Sequence, residues 1–315
     1  MEFLKLLEKI RNPVFDFIFS LITYCGDEII FMAVAIILFW CVSKKDGYYV
    51  LTVGFVGTII NQFLKLAFRI PRPWVKDPNF TIVESAREAA TGYSFPSGHT
   101  QNSVGTFSSI AYSFKQGWLR IVCIALAILV PFSRMYLGVH TPLDVGVSIV
   151  IALLLVFALK PIMDKAEKSP MVMYIFLGLM LTIAIAFVLY VELYNFPADI
   201  DEHNYASGLK NAYTLLGALL GMIVAYPIEK KYINFQVEDK WYIQIVKVAL
   251  GLGVILGIKA GLKPVLYFIC NNHPCADAIR YMIIVLFAVC VYPLLFPVFR
   301  KLDNKIFKKW KQPSR

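Results

Sequence analysis

The sequence predicts an all-α, polytopic transmembrane bundle of about nine spans with an amphipathic amino-terminal helix, and three observations carry that prediction. Of the 315 residues, 58% are hydrophobic and 17% charged, and the mean hydropathy is +0.65, too apolar for a soluble domain of this size. Apolar runs suited to roughly 30 Å of hydrocarbon recur along nearly the whole chain. Lys and Arg, finally, concentrate in alternate connections, a bias that marks the cytoplasmic side of a membrane protein.

The elements follow in order. Residues 1–26 form an interfacial segment, because MEFLKLLEKIRN is amphipathic and lacks the long apolar stretch and small-residue cleavage site of a secretory signal. Candidate spans then fall at approximately 28–43, 48–67, 99–114, 119–133, 142–159, 171–191, 208–227, 241–258 and 278–298. Residues 27–160 carry the polar clusters described below and constitute the core unit, and residues 161–315 add further helices and a basic tail. Lys44 and Lys45, Lys115 and Arg120, Lys160, Lys165 and Lys168, Lys230, Lys231 and Lys240, and the tail from Arg300 to Arg315 all fall on one face. Glu192, Asp199, Asp201 and Glu202 fall on the other. This alternation puts the amino end outside and the carboxyl end inside. The net charge of +10 then belongs to headgroups and the positive-inside bias rather than to nucleic acid.

Cys25, Cys41, Cys123 and Cys290 sit in or beside apolar runs, where cysteine packs as a small apolar residue. Cys270 and Cys275 lie in the polar segment CNNHPC, whose spacing permits a disulfide without requiring one. Gly217 with Gly221, and Gly253 with Gly257, are small-residue pairs that let helices approach closely. Packing within the chain explains them most simply; a homodimer contact is the alternative.

Ionisable residues are costly beside membrane spans, and here they collect in three places. The first is Lys65 to Pro73, KLAFRIPRP, in which Lys65 and Arg72 flank the outer end of a span. Alone, they read as cations reaching the interface. The second is Phe95-Pro96-Ser97-Gly98-His99, where a span begins and where a simple helix cap is the plain reading. The third is Ser133-Arg134, followed by His140 and Asp144. Its plain reading is a loop-to-helix junction with local hydrogen bonds.

The topology brings all three to one face, and together they have a chemistry. Lys65, Arg72 and Arg134 suit a phosphoryl group, whose charge spreads over three oxygens. Ser97, Gly98 and the amides that follow add neutral donors at a positive helix end. His140 and His99 are then the two groups able to attack and to shuttle protons. With a helix starting at Thr141-Pro142, Asp144 lies in its first turn and reaches back to one imidazole nitrogen of His140, leaving the other for phosphorus. His99 remains as general acid and then base.

These segments resemble the signature of the type 2 phosphatidic acid phosphatase superfamily, Lys-x6-Arg-Pro, Pro-Ser-Gly-His and Ser-Arg-x5-His-x3-Asp, without departure at any motif position. The likeness covers roughly residues 27–160. It implies a membrane phosphatase with His140 as nucleophile, Asp144 as its partner, His99 as acid, phosphate binding by Lys65, Arg72, Arg134 and the Ser97-Gly98 region, and no metal or cofactor. The long carboxyl-terminal half and the nine-span plan are similar to glucose-6-phosphatase, as an analogy of architecture. The expected substrate is a phosphorylated lipid or polyprenyl pyrophosphate in the bilayer, with a soluble ester such as a sugar phosphate as the alternative. A third reading, a non-catalytic lipid-phosphate binding or transport protein, leaves the positioned histidine and acid without a purpose. The expected location is the plasma (inner) membrane, with the site extracytoplasmic. The segment Asn204 to Asn211 is either a border of the substrate entrance or an ordinary loop and helix start.

Overall fold

The computed structural model describes residues 1–88, 90–197 and 200–301, and among these the regular structure is entirely helical. Twelve α-helices follow one another. They are α1 (Glu2–Lys9), α2 (Pro13–Tyr24), α3 (Glu28–Cys41), α4 (Lys44–Phe68), the short α5 (Pro73–Lys76), α6 (Gly98–Ser113), α7 (Gly117–Tyr136), α8 (Pro142–Lys168), α9 (Pro170–Leu193), α10 (Glu202–Ile228), α11 (Trp241–Ile269) and α12 (Cys275–Leu286). Their starts are written in the sequence. Asn12 caps α2 by accepting from the amides of Val14 and Phe15 at 3.1 and 3.0 Å. Ser43, Ser97 and Asp201 do the same for α4, α6 and α10, and proline opens α8 and α9, where no amide partner is lost. The α4 helix stops at Arg69, whose φ of 49° is left-handed, and the following Pro71 and Pro73 prevent its resumption.

Each of the nine expected spans is helical, but two fall short of a membrane crossing. Among the described residues seven helices, α4 and α7 to α12 with short continuations, are long and apolar enough to cross. The α3 helix has only 14 residues, and the apolar α2 completes it, meeting it at a bend of 48°. By length and composition α2 and α3 together pass as one bent crossing. The α6 helix has 16 residues, about 24 Å at 1.5 Å per residue. Its buried Thr100, Gln101, Ser103, Thr106 and Ser109 lower its hydropathy because it packs at the centre of the bundle rather than against lipid. Residues 302–315 of the expected basic tail, and Asp199 of the acidic loop, lie outside the described residues.

Glycine decides the closest helix contacts. A Cβ on Gly217 would lie 2.0 Å from the Ala278 carbonyl oxygen, and one on Gly221 would lie 2.9 Å from that of Met282, so α10 crosses α12 backbone to backbone. Gly253 and Gly257, in contrast, meet nothing within 4 Å, because their face of α11 is turned away from the bundle. All six cysteines, Cys270 and Cys275 included, are free thiols.

The amphipathic α1 is docked on protein. Leu4 packs with Phe80 and Ile82 of the connection after α5, Lys5 pairs with Asp77 at 2.7 Å, and the Glu8 carboxylate accepts from the Thr81 amide at 2.9 Å. Arg11 donates to the carbonyls of Tyr136 and Thr81 at 2.9 and 2.7 Å. Gly138, at φ +83°, makes room for it, since a Cβ there would lie 2.6 Å from the guanidinium. The amino-terminal segment thus braces the loop that carries His140.

Candidate active site

Antiparallel alternation gathers the ends of α4, α7 and α11 and the starts of α3, α6, α8, α10 and α12 at one end of the bundle. A cavity of about 650 Å³ opens there, lined by Lys65, Arg72, Gly98, His99 and His140 among others. Ser97, Arg134 and Asp144 stand one layer behind, each buried. The three polar segments, far apart in sequence, therefore share one site.

Arg72 ties two loops together. Its Nε and one terminal nitrogen donate to the carbonyls of Gly92 and Thr91 at 3.0 and 2.6 Å, and the other terminal nitrogen donates to Val139 at 3.0 Å. That same nitrogen lies 2.9 Å from His140 Nε2. Arginine can only donate, so Nε2 accepts. The imidazole is consequently neutral, with its proton on Nδ1 and a lone pair on Nε2. Burial, and next the Arg72 charge, hold His140 well below the ordinary histidine range, which keeps Nε2 unprotonated with its lone pair turned to Arg72.

Asp144 lies on the Nδ1 side at 3.6 Å, longer than a hydrogen bond. Its Oδ2 is held instead by the Ser94 hydroxyl at 2.6 Å and the Thr141 amide at 2.7 Å, while Thr141 Oγ1 accepts from the Asp144 amide at 3.3 Å. This capping box starts α8 and aims the carboxylate at the imidazole. Ser94 is itself fixed, its amide donating to Ile70 at 2.8 Å.

Two further cations complete the site. Lys65 is buried and donates to the Tyr93 carbonyl. Arg134 is fully buried and donates to Thr23 Oγ1 at 2.8 Å, while its Nε and remaining terminal nitrogen have no hydrogen-bond partner among the described residues. A buried guanidinium with two idle donors beside a cavity fits an anion.

His99 opens α6, with Nε2 3.1 Å from Asp27 Oδ1. The contact depends on Gly26, where a Cβ would lie 2.8 Å from the His99 carbonyl oxygen. Asp27, Ser94 and Thr23 are site residues that the sequence reading missed. Only Asp27 carries a signal, as an acid at the edge of an apolar run. The start of α10 also borders the cavity through His203, Lys210 and Asn211, so the Asn204 to Asn211 segment is both a helix start and a wall.

A second, apolar cavity of about 130 Å³ runs between α3, α4, α9 and α10, lined by Phe31, Phe55, Met173 and Phe176 among others. It shares Glu28, Thr58, Thr214 and Leu215 with the polar one, so the two adjoin across these residues.

Residues 46–168 match the PAP2 superfamily domain, and residues 213–304 match the PAP2 superfamily phosphatase transmembrane extension. The chain is 32% identical over 154 residues to Undecaprenyl-diphosphatase BcrC of Bacillus subtilis, which covers 47% of this chain and 74% of that one. The chain belongs to the PAP2 superfamily. By family it is an integral membrane phosphatase. It is also 30% identical over 165 residues to a Dictyostelium discoideum protein named "Probable sphingosine-1-phosphate phosphatase", covering 48% of this chain and 39% of that one. Phosphatidylglycerophosphatase B of Bacillus subtilis is 27% identical over 172 residues, covering 50% of this chain and 80% of that one. No solved structure matches the chain. The PAP2 match includes all three polar segments, and the extension supplies most of α10 together with α11 and α12.

Proposed function

We propose that this PAP2 chain hydrolyses the phosphomonoester or diphosphate of a lipid through a phosphohistidine on His140. The observation that carries the reading is the convergence, in one cavity that adjoins an apolar one, of His140 Nε2, His99, Lys65 and Arg72. Lys65, Arg72 and Arg134 receive the phosphoryl oxygens. The Nε2 lone pair, released as Arg72 turns that N–H to a phosphoryl oxygen, then forms the N–P bond as the bond from phosphorus to the leaving oxygen breaks. His99 gives that oxygen its proton, and Asp144 stabilises the charge that develops on the imidazole. In the second half water attacks phosphorus and yields its proton to His99, the N–P electron pair returns to Nε2, and inorganic phosphate leaves. The protein's own cations supply the charge stabilisation, so no metal or cofactor is required. The apolar cavity supports a lipid rather than a sugar phosphate, since its wall accepts an acyl or prenyl chain but offers a sugar's hydroxyls almost no hydrogen-bond partners. Lys44, Lys45, Lys160, Lys165 and Lys230 lie at the opposite end of the bundle, which supports an extracytoplasmic site in a plasma (inner) membrane.

A panel assay with purified chain in neutral detergent micelles tests the activity. Diacyl and prenyl phosphates are expected to be turned over at least about tenfold more efficiently than glucose 6-phosphate, and in detergent-free right-side-out vesicles an impermeant phosphate ester is turned over without permeabilisation. Preference for the soluble ester contradicts the lipid reading, and turnover only in inverted vesicles contradicts the face.

Asp27 is a positioning residue for His99 in this account. Burial, and next the Arg134 charge, push His99 down to about 4, and Asp27 opposes them; Asp27→Asn removes that opposition, so the alkaline limb of the kcat/KM profile is expected to move to still lower pH, with kcat down about tenfold to a hundredfold. An Asp27→Asn profile that is lowered but not displaced marks Asp27 as structural only.

A further inference from the structure

A third cavity, of about 520 Å³, adjoins the catalytic one and shares Glu28, Lys210, Asn211 and Thr214 with it. Lys259 and Lys263 of α11 and Arg280 of α12 also line it. Both lysines lie inside a span, ten and six residues before its end at Ile269, which is about 15 and 9 Å along the helix axis. Among the described residues Lys210, Lys259 and Lys263 have no carboxylate at ion-pair distance. Ammonium groups at such depth are costly unless an anion or water meets them. Arg280 is only 3% exposed; it pairs with Asp277 and donates to the Lys259 carbonyl at 3.4 Å, yet its Nε is buried without a partner. Four cations therefore stand against Glu28 in the wall and Asp277 behind it. Lys263 is exposed and Lys259 is half-buried with its Nζ 6.0 Å from the centre of the Tyr281 ring, so snorkelling can relieve both, but it does not account for the buried Arg280 with its idle donor.

We infer that α10, α11 and α12 build a second anion subsite beside the catalytic cavity, and that it takes a further phosphate-class group of the same substrate molecule. The preferred substrate is then a lipid whose headgroup carries a phosphodiester, or another fixed anion, besides the phosphate that is cleaved. This rests on the phosphatase reading above and extends it to the role of the carboxyl-terminal helices.

The test compares two probes with identical acyl chains in neutral detergent micelles. One is a diacylglycerol phosphomonoester, and the other carries a phosphodiester between the diacylglycerol and a terminal phosphomonoester. The full chain is expected to favour the second by about tenfold in kcat/KM, as suits one or two added charge-assisted contacts. Lys259→Gln and Arg280→Gln are expected to reduce that preference by most of this factor, chiefly through KM, with Lys259→Arg restoring it. Equal losses on both probes, or an unaltered preference in both variants, overturn the subsite. Stimulation of the one-phosphate probe by added inorganic phosphate, or by anionic host lipid, assigns the pocket to a separate molecule and overturns the substrate inference. A wild-type chain inactive on both probes but active on a prenyl diphosphate overturns the substrate inference alone, whereas one inactive on all three overturns the phosphatase reading itself, and either failure is visible before any variant is made.

Discussion

His140→Ala is expected to lower phosphate release from a lipid phosphate by about 10⁴-fold or more, since it removes the imidazole nitrogen held against Arg72 beside Lys65. The three cations proposed to receive phosphate do not depend on the imidazole. Arg72 keeps its carbonyl partners at Thr91, Gly92 and Val139, Lys65 keeps Tyr93, and Arg134 keeps Thr23. KM should therefore change much less than kcat, and vanadate, a mimic of the transferring group, should still bind. Steady-state release assays, with melting temperature as a control for folding, check both parts. A variant that retains substantial turnover is incompatible with nucleophilic attack by His140.

Asp144→Asn is the second large effect, expected to reduce kcat by about 10³-fold by analogy with other acid-oriented histidines. The carboxylate does two things at once. It accepts from Ser94 and from the Thr141 amide to start α8, and it faces Nδ1 of His140. Asparagine keeps a carbonyl for the cap but brings no charge to the imidazolium, so α8 survives and the transition state suffers. Steady-state kinetics separate the two, because a structural defect would raise KM and lower the melting temperature along with kcat. A drop confined to KM contradicts the orienting role.

The start of α8 was legible because its chemistry is local: Thr141, Pro142 and Asp144 form a cap within four residues. The catalytic cavity was legible for a different reason. Charged residues at the edge of apolar runs are so unfavourable that Lys65, Arg72, His99, Arg134, His140 and Asp144 stood out, and the alternation of spans brought them to one end. What escaped were partners with no local pattern. Asp27 meets His99 across 72 positions through the close approach at Gly26, and Ser94 meets Asp144 across 50 in a loop without periodicity. The bent crossing escaped because α2, at 12 residues, is too short to declare itself a span. Gly253 and Gly257 have the same spacing as Gly217 and Gly221, yet only the latter pair meets a neighbouring helix, a matter of how each helix is rotated.

The central claim, a covalent phosphate on His140 Nε2, is tested most directly by trapping it. His99→Asn blocks both proton transfers, but an aryl phosphate with an acidic leaving phenol needs no acid for the first, so only the hydrolysis of the intermediate is slowed. Rapid acid-free quenching of this variant with ³²P-labelled aryl phosphate is predicted to give a stoichiometric, alkali-stable and acid-labile phosphoenzyme, its label on the peptide containing His140 and absent when His140 is also replaced. Label on another residue, or release of phosphate without any labelled enzyme while turnover persists in the doubly substituted chain, would contradict it.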